Sequence, residues 1–173
     1  MIFSLATPDD LCSIASFART TYSDAFGEEI GEAQLSAHFE DNMSDAHFAR
    51  MMQSDVFYLA VENEKLTGFV QMGSVDPTYQ SHLQVFDPAG IEIRRLYVLA
   101  TNQGKGIGSE LIERALRNPM VDGIHAMYLT TWETNHGAQK LYRKYGFNKV
   151  GAIPEYGSDG KLDGFEHIMA RTF

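Results

Sequence analysis

The sequence predicts an α/β (α+β) fold: a mixed central sheet of about six to seven strands flanked by about four to five helices. Three features predict it. Short runs rich in β-branched and aromatic residues, such as Val56-Phe57-Tyr58-Leu59-Ala60-Val61 and Ala126-Met127-Tyr128-Leu129-Thr130-Thr131, read as strands. Stretches with apolar residues at the 3.6 period lie between several of them. Around 103–131 a helix separates two strands, which implies parallel or mixed pairing, whereas 56–72 reads as an antiparallel hairpin. A chain of 173 residues is long enough for one domain with its own core, so 1–173 is read as a single domain.

Taken in order, Ile2 to Leu5 is a short strand. Thr7-Pro8-Asp9-Asp10 then starts a helix: Thr7 can cap, Pro8 suits the first turn and two acids face the dipole. Leu11, Ile14, Ala15, Ala18 and Tyr22 continue it. Tyr22 to Gly27 is expected to interrupt that helix, with Tyr22 and Phe26 as core anchors. Glu28, Glu29, Glu32, Glu40, Asp41 and Asp45 make the region acidic. Helical patterns return over Ala33 to Phe39 and, after a Ser44 cap, over Asp45 to Gln53. The hairpin strands Val56 to Val61 and Leu66 to Met72 flank a turn at Glu62 to Lys65. Residues 76–90 form a polar loop with no periodicity. Ile91 to Leu99 is the next strand, a helix follows to Asn118, and Ala126 to Thr131 is a strand. A helix capped by Thr134 or Asn135 carries Ala138, Leu141, Tyr142 and Tyr145 on one face and stops at Gly146. Phe147 to Ala152 and Phe165 to Ala170 finish as strands around a turn-rich loop, 155–164.

The chemistry concentrates where the Ile91 strand meets a helix. Gly104, Gly106 and Gly108 alternate through the turn, so a ligand can lie directly on backbone. The helix that follows presents N–H groups and a positive dipole end, which suits a phosphate. No Gly-Lys-Ser/Thr ending is present, which excludes a P-loop. A G-x-G-x-x-G count fails as well, landing on Ser109 or Leu111. What stands here is Gln103-x-x-Gly106-x-Gly108. Downstream, at matching distance, runs Asn135-x-x-Ala138-x-x-Leu141-Tyr142-x-x-x-Gly146-Phe147.

These two linked patterns resemble the cofactor-binding core of the GCN5-related N-acetyltransferase (GNAT) superfamily. The resemblance is firm over Ile91 to Phe147 and looser elsewhere. It implies a mixed, mostly antiparallel GNAT-like sheet and acetyl-CoA as cosubstrate. By resemblance, Leu96, Tyr97 and Val98 pair with the pantetheine arm, the Leu96 N–H polarises the thioester carbonyl, and Gln103, Gly104, Lys105, Gly106, Ile107, Gly108 and Ser109 hold the pyrophosphate. Lys105 adds charge near the nucleotide or is simply a loop lysine. Asn135 bonds the pantetheine, caps its helix, or does both. Tyr142 sits where the family places a general acid for the departing thiolate; as spacing alone, it is a core aromatic. Glu92 coincides with the glutamate base of histone-type members, acting directly or through water. Its other reading is an outward strand residue paired with Arg94 or Arg95. An unassisted amine remains a further alternative.

The acceptor is read less directly. Thr21-Tyr22-Ser23-Asp24-Ala25-Phe26-Gly27 resembles the PaiA-like subgroup of polyamine acetyltransferases. A formal net charge of −9 excludes nucleic acid as the main partner and favours cationic substrates by steering, or serves solubility alone. A small cationic, polyamine-like amine therefore comes first. Peptide, protein or amino-acid amines come second, and a non-catalytic CoA-binding domain is the alternative of a different class. No Cys or Ser site suggests a covalent intermediate, so direct attack in a ternary complex is expected. The histidines, His125, His136 and His167 among them, and the single cysteine, Cys12, show no metal-ligand spacing, so no metal is predicted. Cys12 reads as a small core residue, and Trp132 packs near its strand end. With one cysteine, no apolar run of membrane length and no signal-like N-terminus, a cytoplasmic protein without membrane contact is expected. The resemblance also implies a homodimer as an available assembly.

Overall fold

The computed structural model describes residues 1–157 and 160–173, with the side chains of 28–30 left aside. The acidic side chains of Glu28 and Glu29, and positions 158 and 159 of the 155–164 loop, lie outside the described residues. The elements run β1 (Ile2–Leu5), α1 (Leu11–Ile30), α2 (Glu32–Asn42), α3 (Asp45–Met51), β2 (Val56–Glu62), β3 (Lys65–Ser74), β4 (Ile91–Val98), α4 (Ile107–Leu116), β5 (Ala126–Trp132), α5 (His136–Lys144), β6 (Asn148–Tyr156) and β7 (Leu162–Thr172). The seven strands form one sheet in the order β1-β2-β3-β4-β5-β7-β6. β4 and β5 are parallel, while β1/β2, β5/β7 and β6/β7 are antiparallel. The expected mixed, mostly antiparallel sheet is what the chain forms. By packing it divides into two compact units, Met1–Gln71 with Arg95–Ala115, and Met72–Arg94 with Leu116–Phe173.

In the first unit, Ile14, Ala15, Phe17 and Ala18 of α1 bury against Phe48, Phe57, Leu59 and Phe69. Ahead of α1, residues Pro8–Asp10 make a 3-10 turn. The Thr7 N–H and hydroxyl both donate to the Asp10 carboxylate, at 2.8 and 2.9 Å. α1 does not break at Tyr22 to Gly27 as expected; it continues to Ile30. Glycine in a helix costs about 1 kcal/mol against alanine, and aromatic packing offsets it. Tyr22 lies 4.8 Å from Phe26, stacks at 4.5 Å on His38 and meets Phe39 edge-on at 6.2 Å, all as ring-centroid distances. Cys12 is exposed rather than in the core, its Sγ 4.0 Å from an Asp45 oxygen. It sits two residues before Ile14, about 200° round the helix from that buried position. Ser44 caps α3 as expected, accepting from the His47 N–H at 3.2 Å. Asn63 and Glu64, with φ of 50° and 63°, make the β2–β3 turn, a left-handed pair of the type that matches strand twist.

In the second unit, residue alternation sorts the sheet faces. The pairs Glu92↔Tyr128, Thr130↔Ile168 and Trp132↔Glu166 put these six side chains on one face. The 76–90 segment covers it: Val75, Tyr79, Leu83 and Phe86 pack with Tyr128, Ile168 and Ala170. That segment is not shapeless. Pro77–His82 forms a 3-10 turn, with the Asp76 side chain accepting from the Thr78 N–H and hydroxyl at 2.8 and 2.7 Å. On the opposite face Arg171, paired with Met127, donates to the Tyr145 carbonyl at 3.0 Å at the end of α5. Gly146, at φ 83°, ends that helix as expected. β6 and β7 are longer than the sequence suggests. Their pairing shifts register between Lys149 and Gly151 and between Glu155 and Tyr156.

Candidate active site

The first unit holds the glycine loop. β4 gives way to a short 3-10 turn, Ala100–Asn102, before the glycine loop and α4. Gln103 reaches back, its side-chain amide donating to the Val98 carbonyl at 3.3 Å. Gly104 and Gly106 have φ of 74° and 85°, and a Cβ at either would meet nothing within 4 Å. Backbone conformation, not crowding, therefore requires glycine there. Residues Gln103 to Gly106 are exposed, Ile107 is buried to anchor the helix, and Gly108 and Ser109 are half-buried. The result is a run of backbone accessible from outside, leading into the N-terminus of a ten-residue helix.

The second unit gathers the titratable groups. Glu92 is only 5 % exposed. Tyr79 Oη donates to its Oε1 at 2.6 Å, and the Asp76 N–H and Arg94 Nη1 donate to Oε2 at 3.1 and 3.2 Å. It is thus an inward-facing carboxylate partnered by Arg94, not an outward strand residue. Burial raises its pKa, opposed by the Tyr79 hydrogen bond, the Arg94 charge and the Asp76 amide. Tyr79 is held well above the ordinary phenol range, by burial first and then by the charge of Glu92. Strand register puts Thr130 and Glu166 on the same sheet face as Glu92. Glu166 is also raised, by burial and by the neighbouring charge of Glu155.

The other predicted residues of this unit lie on α5. Asn135 caps it, its Oδ1 accepting from the Ala138 N–H at 3.1 Å. Tyr142 is 7 % exposed and meets Phe147 edge-on at 6.2 Å. α5 docks on the Arg171 face, so Glu92 and Tyr142 lie on opposite sides of the sheet in this unit. Tyr79, Asp76, Thr130 and Glu166 were not singled out from sequence. One signal was available: Asp76-Pro77 repeats the cap-then-proline pattern of Thr7-Pro8. Among the described residues no group of three or more His, Cys, Asp or Glu could hold a metal ion, and no helix is long and apolar enough to cross a membrane.

A model of the acetyltransferase (GNAT) family matches residues 17–147. The chain belongs to that family, and it is an acetyl-CoA-dependent N-acetyltransferase. It is similar to an uncharacterized N-acetyltransferase from the pepI 3′ region of Lactobacillus delbrueckii subsp. lactis, with 23 % identity over 81 % of this chain and 80 % of that one. It is also similar to an L-2,4-diaminobutyric acid acetyltransferase from Halalkalibacterium halodurans, with 23 % identity over 97 % and 85 % of the two chains. The fold is shared with the PaiA N-acetyltransferase of Thermoplasma acidophilum, solved with coenzyme A: TM-score 0.71, 18 % identity, and full coverage of both chains. The glycine loop fits such a cosubstrate. Its left-handed glycines leave empty the space that a Cβ would occupy, so a diphosphate can approach the amides.

Proposed function

We propose that the chain acetylates the primary amine of a small cationic, polyamine-like acceptor, by direct attack of the amine within a ternary complex. The accessible backbone of Gly104 to Gly106 at the mouth of α4 carries the cosubstrate half of this reading. The acceptor half is supported by the net charge of −9 and by exposed acids on the helices of the first unit, among them Asp24, Glu32, Glu40 and Asp41. Similarity to a relative named for a diamino acid supports it as well. The single cysteine, exposed on α1, supports a reducing compartment, the cytoplasm.

In this reading the cosubstrate supplies the acetyl group and a thiolate leaving group. The N–H groups from Gly104 to Ser109 hold the diphosphate, with Lys105 adding charge and Gln103 bracing the loop on Val98. Leu96, Tyr97 and Val98 offer strand hydrogen bonds to the pantetheine arm, and the Leu96 N–H stabilises the developing oxyanion. Asn135 fixes the start of α5 and orients the pantetheine. Glu92 accepts the amine's proton, directly or through one water, and its raised pKa makes it a stronger base than an exposed carboxylate. Tyr142 donates a proton to the departing sulfur. No covalent enzyme intermediate is needed. A thiol-release assay with acetyl-CoA and spermidine, 2,4-diaminobutyrate, lysine and short peptides tests the reading. Turnover is expected on the small polyamines or diamino acids. Turnover on peptides alone overturns the acceptor class, and silence on every amine despite CoA binding favours a non-catalytic CoA-binding domain.

A further inference from the structure

The turn from Asp76 to Tyr79 grips both oxygens of Glu92 at once. The Asp76 N–H reaches Oε2 at 3.1 Å, and the Tyr79 hydroxyl, further along the same turn, reaches Oε1 at 2.6 Å. The turn is itself braced. The Asp76 carboxylate accepts from the Thr78 N–H and hydroxyl, and the Asp76 carbonyl accepts from the Tyr79 N–H at 3.2 Å. At the base of the segment the Val75 N–H donates to the Gly90 carbonyl at 3.0 Å. Arg94 Nη1 is a third donor to Glu92, on Oε2 at 3.2 Å. Each carboxylate oxygen has two acceptor positions. Among the described residues, Oε2 therefore has both positions filled and Oε1 has one left beside Tyr79. The titratable and charged groups that share this face are Asp76 and Tyr79 from the 76–90 segment, Arg94 from β4, Tyr128 from β5 and Glu166 from β7.

We propose that Tyr79 is a positioning residue for the base: its hydroxyl orients the Glu92 carboxylate and leaves Oε1 one open lone pair, on which the acceptor's proton lands. This rests on Glu92 being the base. In the transfer an N–H bond of the attacking amine breaks, its electron pair stays on nitrogen, and an O–H bond forms at Oε1, directly or through one water. The 2.6 Å separation is that of a hydroxyl donating to a charged oxygen. Such a bond is strongest to the carboxylate and weakens once the group is protonated, so Tyr79 favours the form that can act as base. Burial pushes the Glu92 pKa up, and the Tyr79 bond is the first of the effects that oppose it. The phenol is itself held well above its ordinary range, by burial and by the Glu92 charge, so it remains a donor across the neutral range.

The test titrates Glu92 in the full chain by carbon NMR of its side-chain carboxyl, the signal being assigned by its loss in Glu92→Gln. Tyr79→Phe should raise the midpoint by about one pH unit. Fluorotyrosine in place of Tyr79, a stronger donor of nearly the same size, should lower it. Tyr128→Phe removes a hydroxyl from the other end of the segment, where it accepts from the Asp87 N–H at 2.9 Å, and should leave the midpoint in place. The acid limb of kcat, measured with the panel amine that turns over fastest, should move with the midpoint in each variant, while KM for acetyl-CoA stays within about twofold. A midpoint unmoved in both Tyr79 variants overturns the proposal and leaves Glu92 as the base. An equal rise in Tyr79→Phe and Tyr128→Phe shows a packing role for the segment and overturns it as well. An acid limb that stays put while the midpoint moves, or a Glu92→Gln chain with the parent's kcat, overturns the base itself and with it the part of Tyr79 in the reaction. Should Tyr79→Phe fail to fold, the fluorinated chain decides: a lowered midpoint supports the proposal, and a parent-like one overturns it.

Discussion

Glu92 and Glu166 are carboxyls whose neighbourhood favours the proton. Both bind it more tightly in the folded chain than in the unfolded one. The stability they contribute is therefore fully present below about pH 4.3, the ordinary glutamate value, and is lost as pH rises through their elevated folded values. Glu166→Gln removes one of these two slopes. The decline of Tm between mildly acidic and neutral pH should be shallower in that variant than in the parent; an identical slope would show that Glu166 does not titrate differently on folding. His38 and His47 act in the opposite sense, since burial and then Arg95 depress their pKa values, so their contribution is lost as pH falls. At Tyr142 the expectation is kinetic. Tyr142→Phe keeps the edge-on packing with Phe147 and should lower kcat about a hundredfold while CoA affinity by calorimetry stays within about twofold. An equal loss of affinity would make the tyrosine a binding residue.

Short elements govern how these side chains are held. A cap followed by proline recurs at Thr7-Pro8, Asp76-Pro77 and Asn118-Pro119, each opening a 3-10 turn. The middle one carries Tyr79. Asp76→Ala frees the Thr78 N–H and hydroxyl and should lower stability by about 1 kcal/mol, read as a shift in the urea midpoint. Its kcat should fall further than that of Asp76→Asn, which keeps an acceptor. The glycine loop answers to backbone strain. Gly106→Ala at φ 85° should cost about 1–2 kcal/mol and raise the KM for acetyl-CoA, because nothing nearby has to move to admit the methyl. Most elements were legible from periodicity and caps, and the glycine loop from its spacing, because those signals are local. The continuation of α1 through Gly27 was not, because it depends on Tyr22 meeting His38 and Phe39 of another helix. Nor was the surrounding of Glu92. The 76–90 stretch has no period, and Thr130 and Glu166 reach the cluster only through strand register that no local pattern encodes.

At the scale of the whole molecule, charge is the leading variable. A formal net charge of −9 attracts polycations over a range set by salt, with a Debye length of about 30 Å at 0.01 M falling to about 3 Å at 1 M. Added salt should therefore raise the KM of a triamine more steeply than that of a monoamine with similar reach, in initial-rate measurements at matched pH. Equal salt responses would leave the acidity a matter of solubility. The seven-stranded order itself follows from pieces that the sequence displays: a hairpin, one helical crossover and a closing pair of strands. The crossover through α4 accounts for the parallel β4–β5 contact, because a strand returning over a helix arrives in the same direction.

The sheet order has one further consequence, set by the strand at its end. β6 terminates the order on one side, and an exposed terminal strand is a template on which a stray chain can grow. Here Pro154 withholds an amide, two register shifts interrupt the even spacing of the remaining ones, and Asn148, Lys149 and Glu155 stand exposed along it. An incoming backbone finds no regular ladder to copy. Protection against fibrillar self-addition on that side is thereby built into the strand that closes the fold.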